Sequence, residues 1–148
     1  MPVNDRVAVP LAERTGFLAQ KVGTLFLQAV GEELKELGLG NRPFFVLAGV
    51  AQAAPISQQD LSRALSIDPT TMVALVDELE QGGFVQRTRN PRDRRRYDIT
   101  LTEVGAQTLS SAQHAMDDVE AEFFSPLSDA ERRRYHVYLE KLLEGRWP

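Results

Sequence analysis

The chain has 148 residues, 43% of them hydrophobic and 26% charged, with a net charge of −4; that suits one domain, or one domain with a helical extension, and a length able to bury well over half of its unfolded surface. It has no cysteine and only two histidines, which excludes disulfides, thiolate metal sites and thiol redox sensing and argues against a histidine-rich metal site. No apolar run reaches membrane-spanning length, and residues 1–16 lack both the basic start and the apolar stretch of an export signal, so a cytoplasmic protein without a membrane partner is expected.

From Leu11 to Leu37 the apolar residues Leu11, Leu18, Val22, Leu25 and Ala29 recur at spacings of seven, four, three and four, which predicts a long helix widened by Phe17, Phe26 and Val30. The stretch "GLGN" at 38–41 ends it. Pro43 suits a first helical turn, and "FFVLAGVAQAA" (44–54) reads as a short buried helix. Ser57 then precedes "QQDLSRAL" as an N-cap, with Asp60 three residues on and Leu61 and Leu65 facing inward. After a brief turn, Asp68 as N-cap and Pro69 at the first helical position open a helix whose apolar face is Met72, Leu75, Val76 and Leu79; Gly82 and Gly83 close it.

Two alternating segments follow, "FVQRT" (84–88) and "YDITL" (97–101), the latter with Tyr97, Ile99 and Leu101 on one face. The loop between them opens on the turn dipeptide Asn90-Pro91. Thr102 caps a second long helix reaching about Phe124, with a heptad-like seam of Leu109, Ala112, Met116, Val119 and Phe123. Ser128 and Glu131 make a capping box for a last helix, with Tyr135, Tyr138, Leu139, Leu142 and Leu143 as its apolar stripe. The fold class is therefore mainly α with a small β-hairpin (α+β).

The negative total hides a local field. Residues 87–96 hold Arg87, Arg89, Arg92, Arg94, Arg95 and Arg96 against the single acid Asp93, a balance of +5, so the remainder of the chain carries −4 minus +5, or −9. A short helix, a tight turn, an N-capped helix and a hairpin loaded with arginine follow the order of a winged helix-turn-helix. In such a unit Pro69, Thr70, Thr71, Val73, Ala74 and Asp77 lie off the inward face of the second helix, where small hydroxyl and methyl groups approach base edges in a major groove. The arginines suit phosphates and the minor groove, and Ser57 and Gln58 at the start of the first helix join the candidate DNA contacts. Asp77 also has a structural reading, as a partner within the domain.

The stretch "LSRALSIDPTTMVALVDELEQGGFVQRTRNPRDRRRYDITLTEVG" resembles the core of the MarR family of bacterial transcription regulators: "TTMVALVDELEQGGFV" as recognition helix and exit, "NPRDRR" as wing, "ITLTEVG" as return strand and helix start. The long helices on either side extend the resemblance over nearly the whole chain. It implies dimerisation regions at 1–42 and 103–148 around a winged DNA-binding domain at 43–102. It also implies a homodimer on a pseudo-palindromic operator, most often a repressor, released from DNA by a small ligand. By the same resemblance Arg94 or Arg95 enters the minor groove and Asp93 orients a neighbouring arginine. The pocket of the family lies where the first, second and fifth helices meet the winged domain. This makes Phe17, Phe44, Phe45 and His114 candidates for an aromatic or phenolic effector.

The chain departs from the family pattern in two respects. Ala74 and the neighbourhood of Glu78 stand where members often carry basic residues, and Pro43 stands where they often carry a polar one. With Asp77, Glu78 and Glu80 the recognition helix is acidic, so specificity falls to Thr70, Thr71 and Val73 and to DNA shape. That acidity keeps a rival reading open, a winged-helix protein-interaction module that does not bind DNA, against which the arginine loop argues. An enzyme finds no support, since no nucleophile–base spacing, phosphate-binding glycine loop, metal set or cofactor motif is present.

Overall fold

The computed structural model describes residues 11–146, which form six helices and a three-stranded sheet. In chain order these are α1 (Thr15–Glu36), α2 (Asn41–Ala53), β1 (Ile56–Ser57), α3 (Gln58–Ala64), α4 (Pro69–Gln81), β2 (Val85–Arg89), β3 (Tyr97–Leu101), α5 (Glu103–Phe123) and α6 (Asp129–Leu143). The start of α1 is later than its periodicity predicts, because residues 11–13 form a turn. The strand β1 was not anticipated: two residues are too few to show alternation, and only pairing with β3 (Ile56 opposite Ile99) defines it. The sheet order is β1-β3-β2, all antiparallel.

Side-chain caps set the helix boundaries as expected. Ser57 accepts from the Asp60 N–H, Asp68 from Thr71, Thr102 from Gly105 and Ser128 from Glu131, the last as a full capping box. Gly83, at φ +76°, turns the chain out of α4 in the left-handed region that glycine enters without strain.

The core joins the winged unit to the long helices. Leu61, Met72, Val76 and Leu79 from α3 and α4, Val46, Leu47 and Val50 from α2, and Ile99 from β3 are all essentially inaccessible, as are Val30 and Leu34 of α1. The α5 seam is consumed within the chain: Leu109 and Ala112 are buried, Met116 and Val119 pack on the core, and Phe123 meets Phe26 of α1 edge-on at 5.3 Å. The α1 stripe behaves differently, since Leu18 and Leu25 remain more than 40% exposed. Helix α6 buries no residue at all. It touches the body through Tyr135 against Phe124 (5.9 Å) and Arg132 against Glu120 (2.8 Å), while Tyr138 and Leu142 stay over half exposed.

Candidate DNA-binding surface

The recognition helix α4 rests on its buried face of Met72, Leu75, Val76 and Leu79, which leaves Pro69, Thr70, Val73 and Ala74 exposed and Thr71 and Asp77 partly so. Its first turn is held by the Asp68 carboxylate, which accepts the Thr71 N–H at 2.9 Å. Hydrogen bonds from Thr71 hold the Asp68 carboxyl below the usual carboxylate range. Small side chains on an exposed first turn are the geometry a base-reading helix needs.

The wing is a β2–β3 hairpin in which Arg87 lies opposite Ile99 and Arg89 opposite Tyr97. Cross-strand partners share a face, so Val85, Arg87 and Arg89 project with Leu101, Ile99 and Tyr97. That parity sends Arg87 inward. Its side chain is 19% exposed and its guanidinium lies 2.6 Å from both Asp77 and Glu80, with a further hydrogen bond at 3.1 Å to Gln58 Oε1. The Arg87 backbone N–H also donates to Glu80 at 3.1 Å. Burial opposes the Arg87 charge, but hydrogen bonds and attraction from Asp77 and Glu80 outweigh it and hold the guanidinium above its ordinary pKa.

Arg96 is tied at the other side of the hairpin, donating to Ser57 Oγ (2.7 Å) and Asp60 Oδ2 (2.8 Å), where Arg63 also pairs with Asp60. The Ser57 hydroxyl, and then Arg63 and Arg96, keep the Asp60 carboxyl below its usual range against the opposing effect of burial. Arg89 lies over the Tyr97 ring at 5.7 Å. Among the described residues, the guanidinium groups of Arg92, Arg94 and Arg95 meet no protein partner, and all three side chains are exposed.

The six arginines therefore divide. Two, Arg87 and Arg96, tie the hairpin to the domain, Arg89 stacks within the hairpin, and three stand at its tip. Arg87, expected at the DNA, is instead engaged with Asp77, because strand alternation points the arginine at the helix; for Asp77 this is the within-domain partnership that was its structural reading. Asp93 also differs from expectation. Its carboxylate accepts the Arg95 backbone N–H at 3.0 Å, so it orders the main chain of the loop, not a guanidinium.

Asn90, read in the sequence only as half of a turn dipeptide, organises the tip. Its side-chain oxygen accepts from the backbone N–H groups of Arg92 (2.8 Å) and Asp93 (3.1 Å), and its amide donates to Asp98 (2.9 Å). This is the local side-chain-to-backbone bonding that asparagine offers a turn. The other end of the hairpin explains the "LTEVG" segment. Thr102 donates its hydroxyl to the Gly83 carbonyl (2.6 Å) and its N–H to the Phe84 carbonyl (3.0 Å). Gly105 sits so close that a Cβ there would fall 1.8 Å from the Phe84 oxygen.

The four candidate effector residues do not line one common cavity, although the Phe44 and Phe45 rings stand 5.6 Å apart. Phe44 is a core residue at 4% exposure. Phe45 is half exposed and lines a small cavity of about 220 Å³ with Arg42, Asp68 and Thr71. His114 is exposed, its ring Nδ1 2.7 Å from the Ser110 carbonyl oxygen one turn earlier, and Phe17 is half-buried on α1. A larger cavity of about 640 Å³ lies between α1, α5 and α6, lined by Phe26, Phe124, Tyr135, Leu139, Arg132 and Arg133 among others; none of the four candidates lines it. These residues escaped the sequence reading because Phe124 and Tyr135 come together only when α6 folds back on α5.

The fold and this surface define a winged helix-turn-helix protein with long flanking helices. The MarR family model matches residues 41–97. A mutant MarR from E. coli, solved in complex with operator DNA, superposes with a TM-score of 0.77 at 28% identity, covering 91% of this chain and 94% of that one. CouR from Rhodococcus jostii RHA1, solved with p-coumaroyl-CoA bound, gives 0.73 at 32% identity, covering 89% and 93%. A relative named for transcriptional regulation of the hcr operon in Thauera aromatica is 36% identical over 97 residues, 66% of this chain; that match spans 58% of the relative's length. The chain belongs to the MarR family.

Proposed function

We propose that the protein is a homodimeric transcription regulator that binds double-stranded DNA at a pseudo-palindromic operator, acts as a repressor in the cytoplasm, and responds to a small aromatic or phenolic effector. It is a binding protein, not an enzyme. The observation that carries this reading is the tip of the wing, where Arg92, Arg94 and Arg95 are exposed and, among the described residues, form no ion pair, in the same winged unit as the exposed Thr70, Val73 and Ala74 of α4. Residues 43–102 form the DNA-binding unit, with Thr70, Thr71 and Val73 reading bases and Arg94 or Arg95 entering the minor groove. Attraction to phosphate supplies most of the affinity, which makes it steeply salt-dependent.

Exposed apolar side chains support the dimer. Among the described residues Leu18 and Leu25 of α1 and Val137 and Leu142 of α6 are each more than 40% exposed. A second copy of the chain is a natural cover for such stripes. Two copies then present two recognition helices to half-sites about 10 base pairs apart. The ligand-bound CouR relative supports a small effector for this chain, which would act by favouring one dimer geometry over the other.

The rival reading, a protein-interaction module, rested on the acidity of α4. Pairing of Asp77 and Glu80 with Arg87 offsets part of that charge. Fluorescence-anisotropy titration with DNA from upstream of the protein's own gene, against an unrelated duplex and at two salt concentrations, tests the proposal. Tight, salt-steep preference for the upstream DNA is the expected result. No binding to either duplex at low salt would leave the interaction module.

A further inference from the structure

Among the described residues, Arg87 is the one wing arginine whose side chain bonds to both α3 and α4. From β2 it reaches Asp77 and Glu80 on α4, both at 2.6 Å, and Gln58 on α3 at 3.1 Å. Its own side chain is 19% exposed, while those of Asp77 and Glu80 are 50% and 41% exposed. The two carboxylates thus share one largely covered cation while remaining open to solvent on the helix that faces DNA. Without that cation, two negative charges would stand on α4 against the phosphate backbone, a like-charge contact that opposes binding. A guanidinium is suited to the task, since its planar fork serves two carboxylates and an amide oxygen at once, which an ammonium does not.

From this geometry we propose that Arg87 is a positioning residue that binds no phosphate: it is the internal counter-ion of the recognition helix, offsetting half of the combined charge of Asp77 and Glu80 and fixing the wing against α3 and α4. The inference rests on the DNA-binding reading and assigns Arg87 a role opposite in kind to that of Arg92, Arg94 and Arg95. It also gives Gln58 a place, as the α3 end of the same lock.

A charge-rescue experiment separates the two roles. DNA affinity and its salt dependence are measured by anisotropy with a random-sequence duplex for wild type, Arg87→Met and the triple variant Arg87→Met/Asp77→Asn/Glu80→Gln. Arg87→Met is expected to weaken binding about tenfold or more at 0.1 M salt, since it uncovers two acids. The triple variant is expected to recover to within about threefold of wild type with an unchanged salt slope. A triple variant that stays weak, with a slope lower by about one per protomer, overturns the proposal, because that is the signature of a lost phosphate contact.

A second measurement on the wild-type protein needs no variant to fold. The Arg87 Nε–H resonance should hold its position when DNA is added while those of Arg92, Arg94 and Arg95 move; an Arg87 signal that shifts with them also overturns it. Wild-type protein that binds neither this duplex nor the upstream DNA at low salt would instead remove the DNA-binding reading, and this inference with it.

Discussion

Replacing Arg92, Arg94 and Arg95 together by alanine should abolish most of the salt dependence of DNA binding while leaving the fold intact. Among the described residues these three side chains are exposed and form no ion pair or side-chain hydrogen bond, so no such interaction is lost from the free protein. A dimer carries three such arginines per protomer, six in all. Each phosphate neutralised contributes about 0.9 to the slope of log affinity against log salt, so full engagement of the six makes the wild-type slope steeper by about five. Between 50 and 200 mM salt that difference amounts to about a thousandfold in relative affinity. The assay is anisotropy over at least four salt concentrations, with thermal melts of both proteins as the control for folding. An unchanged slope with an unchanged melting curve would refute the assignment of the wing tip to phosphate and minor-groove contact.

Three further outcomes follow from the same structure. Gly105→Ala should destabilise the protein by about 3 kcal/mol or more in urea unfolding, since its methyl group would have to displace the Phe84 carbonyl at 1.8 Å and disrupt the Thr102 cap beside it; a loss under about 1 kcal/mol would show that the junction yields easily. Leu25→Asp combined with Leu142→Asp should give a folded monomer by sedimentation velocity, because both leucines are exposed in the single chain; a persistent dimer would place the interface elsewhere. The carboxyls of Asp60, Asp68 and Glu131 lie below their usual range through hydrogen bonds from Ser57, Thr71 and Ser128 respectively. A folded-state pKa below the unfolded value of about 4 means this stabilisation is complete above pH 4 and is lost as the pH falls through the lower folded values. Thermal midpoints measured from pH 6 down to 3 should therefore drop, and Asp68→Asn should flatten the drop; an equal decline in the variant would assign the acid sensitivity to other groups.

Local chemistry made much of this fold legible in the sequence. Caps are decided within four residues, so Ser57, Asp68, Thr102 and Ser128 marked their helices correctly. The hairpin was visible from alternation on either side of Asn90-Pro91, and the charge of the wing from composition alone. Even the burial of Arg87 had a signal. It shares the parity of Val85, and Asp77 and Glu80 stand three residues apart on one helical face. What the chain order could not say is which acid meets which arginine.

That division was left to the tertiary structure. Six arginines of one type in ten residues are chemically alike, and only the placement of the hairpin against α3 and α4 turns Arg87 and Arg96 into internal ties while Arg92, Arg94 and Arg95 stay free. The same holds for the apolar stripes. Periodicity established that α1, α5 and α6 each had one, but packing alone decided that the α5 stripe is covered within the chain while much of those of α1 and α6 stays exposed. Caps, turns and periodicity depend on neighbours a few residues away, so the sequence states them outright. Ion pairs and interfaces join residues tens of positions apart, and their partners exist only once the chain has folded.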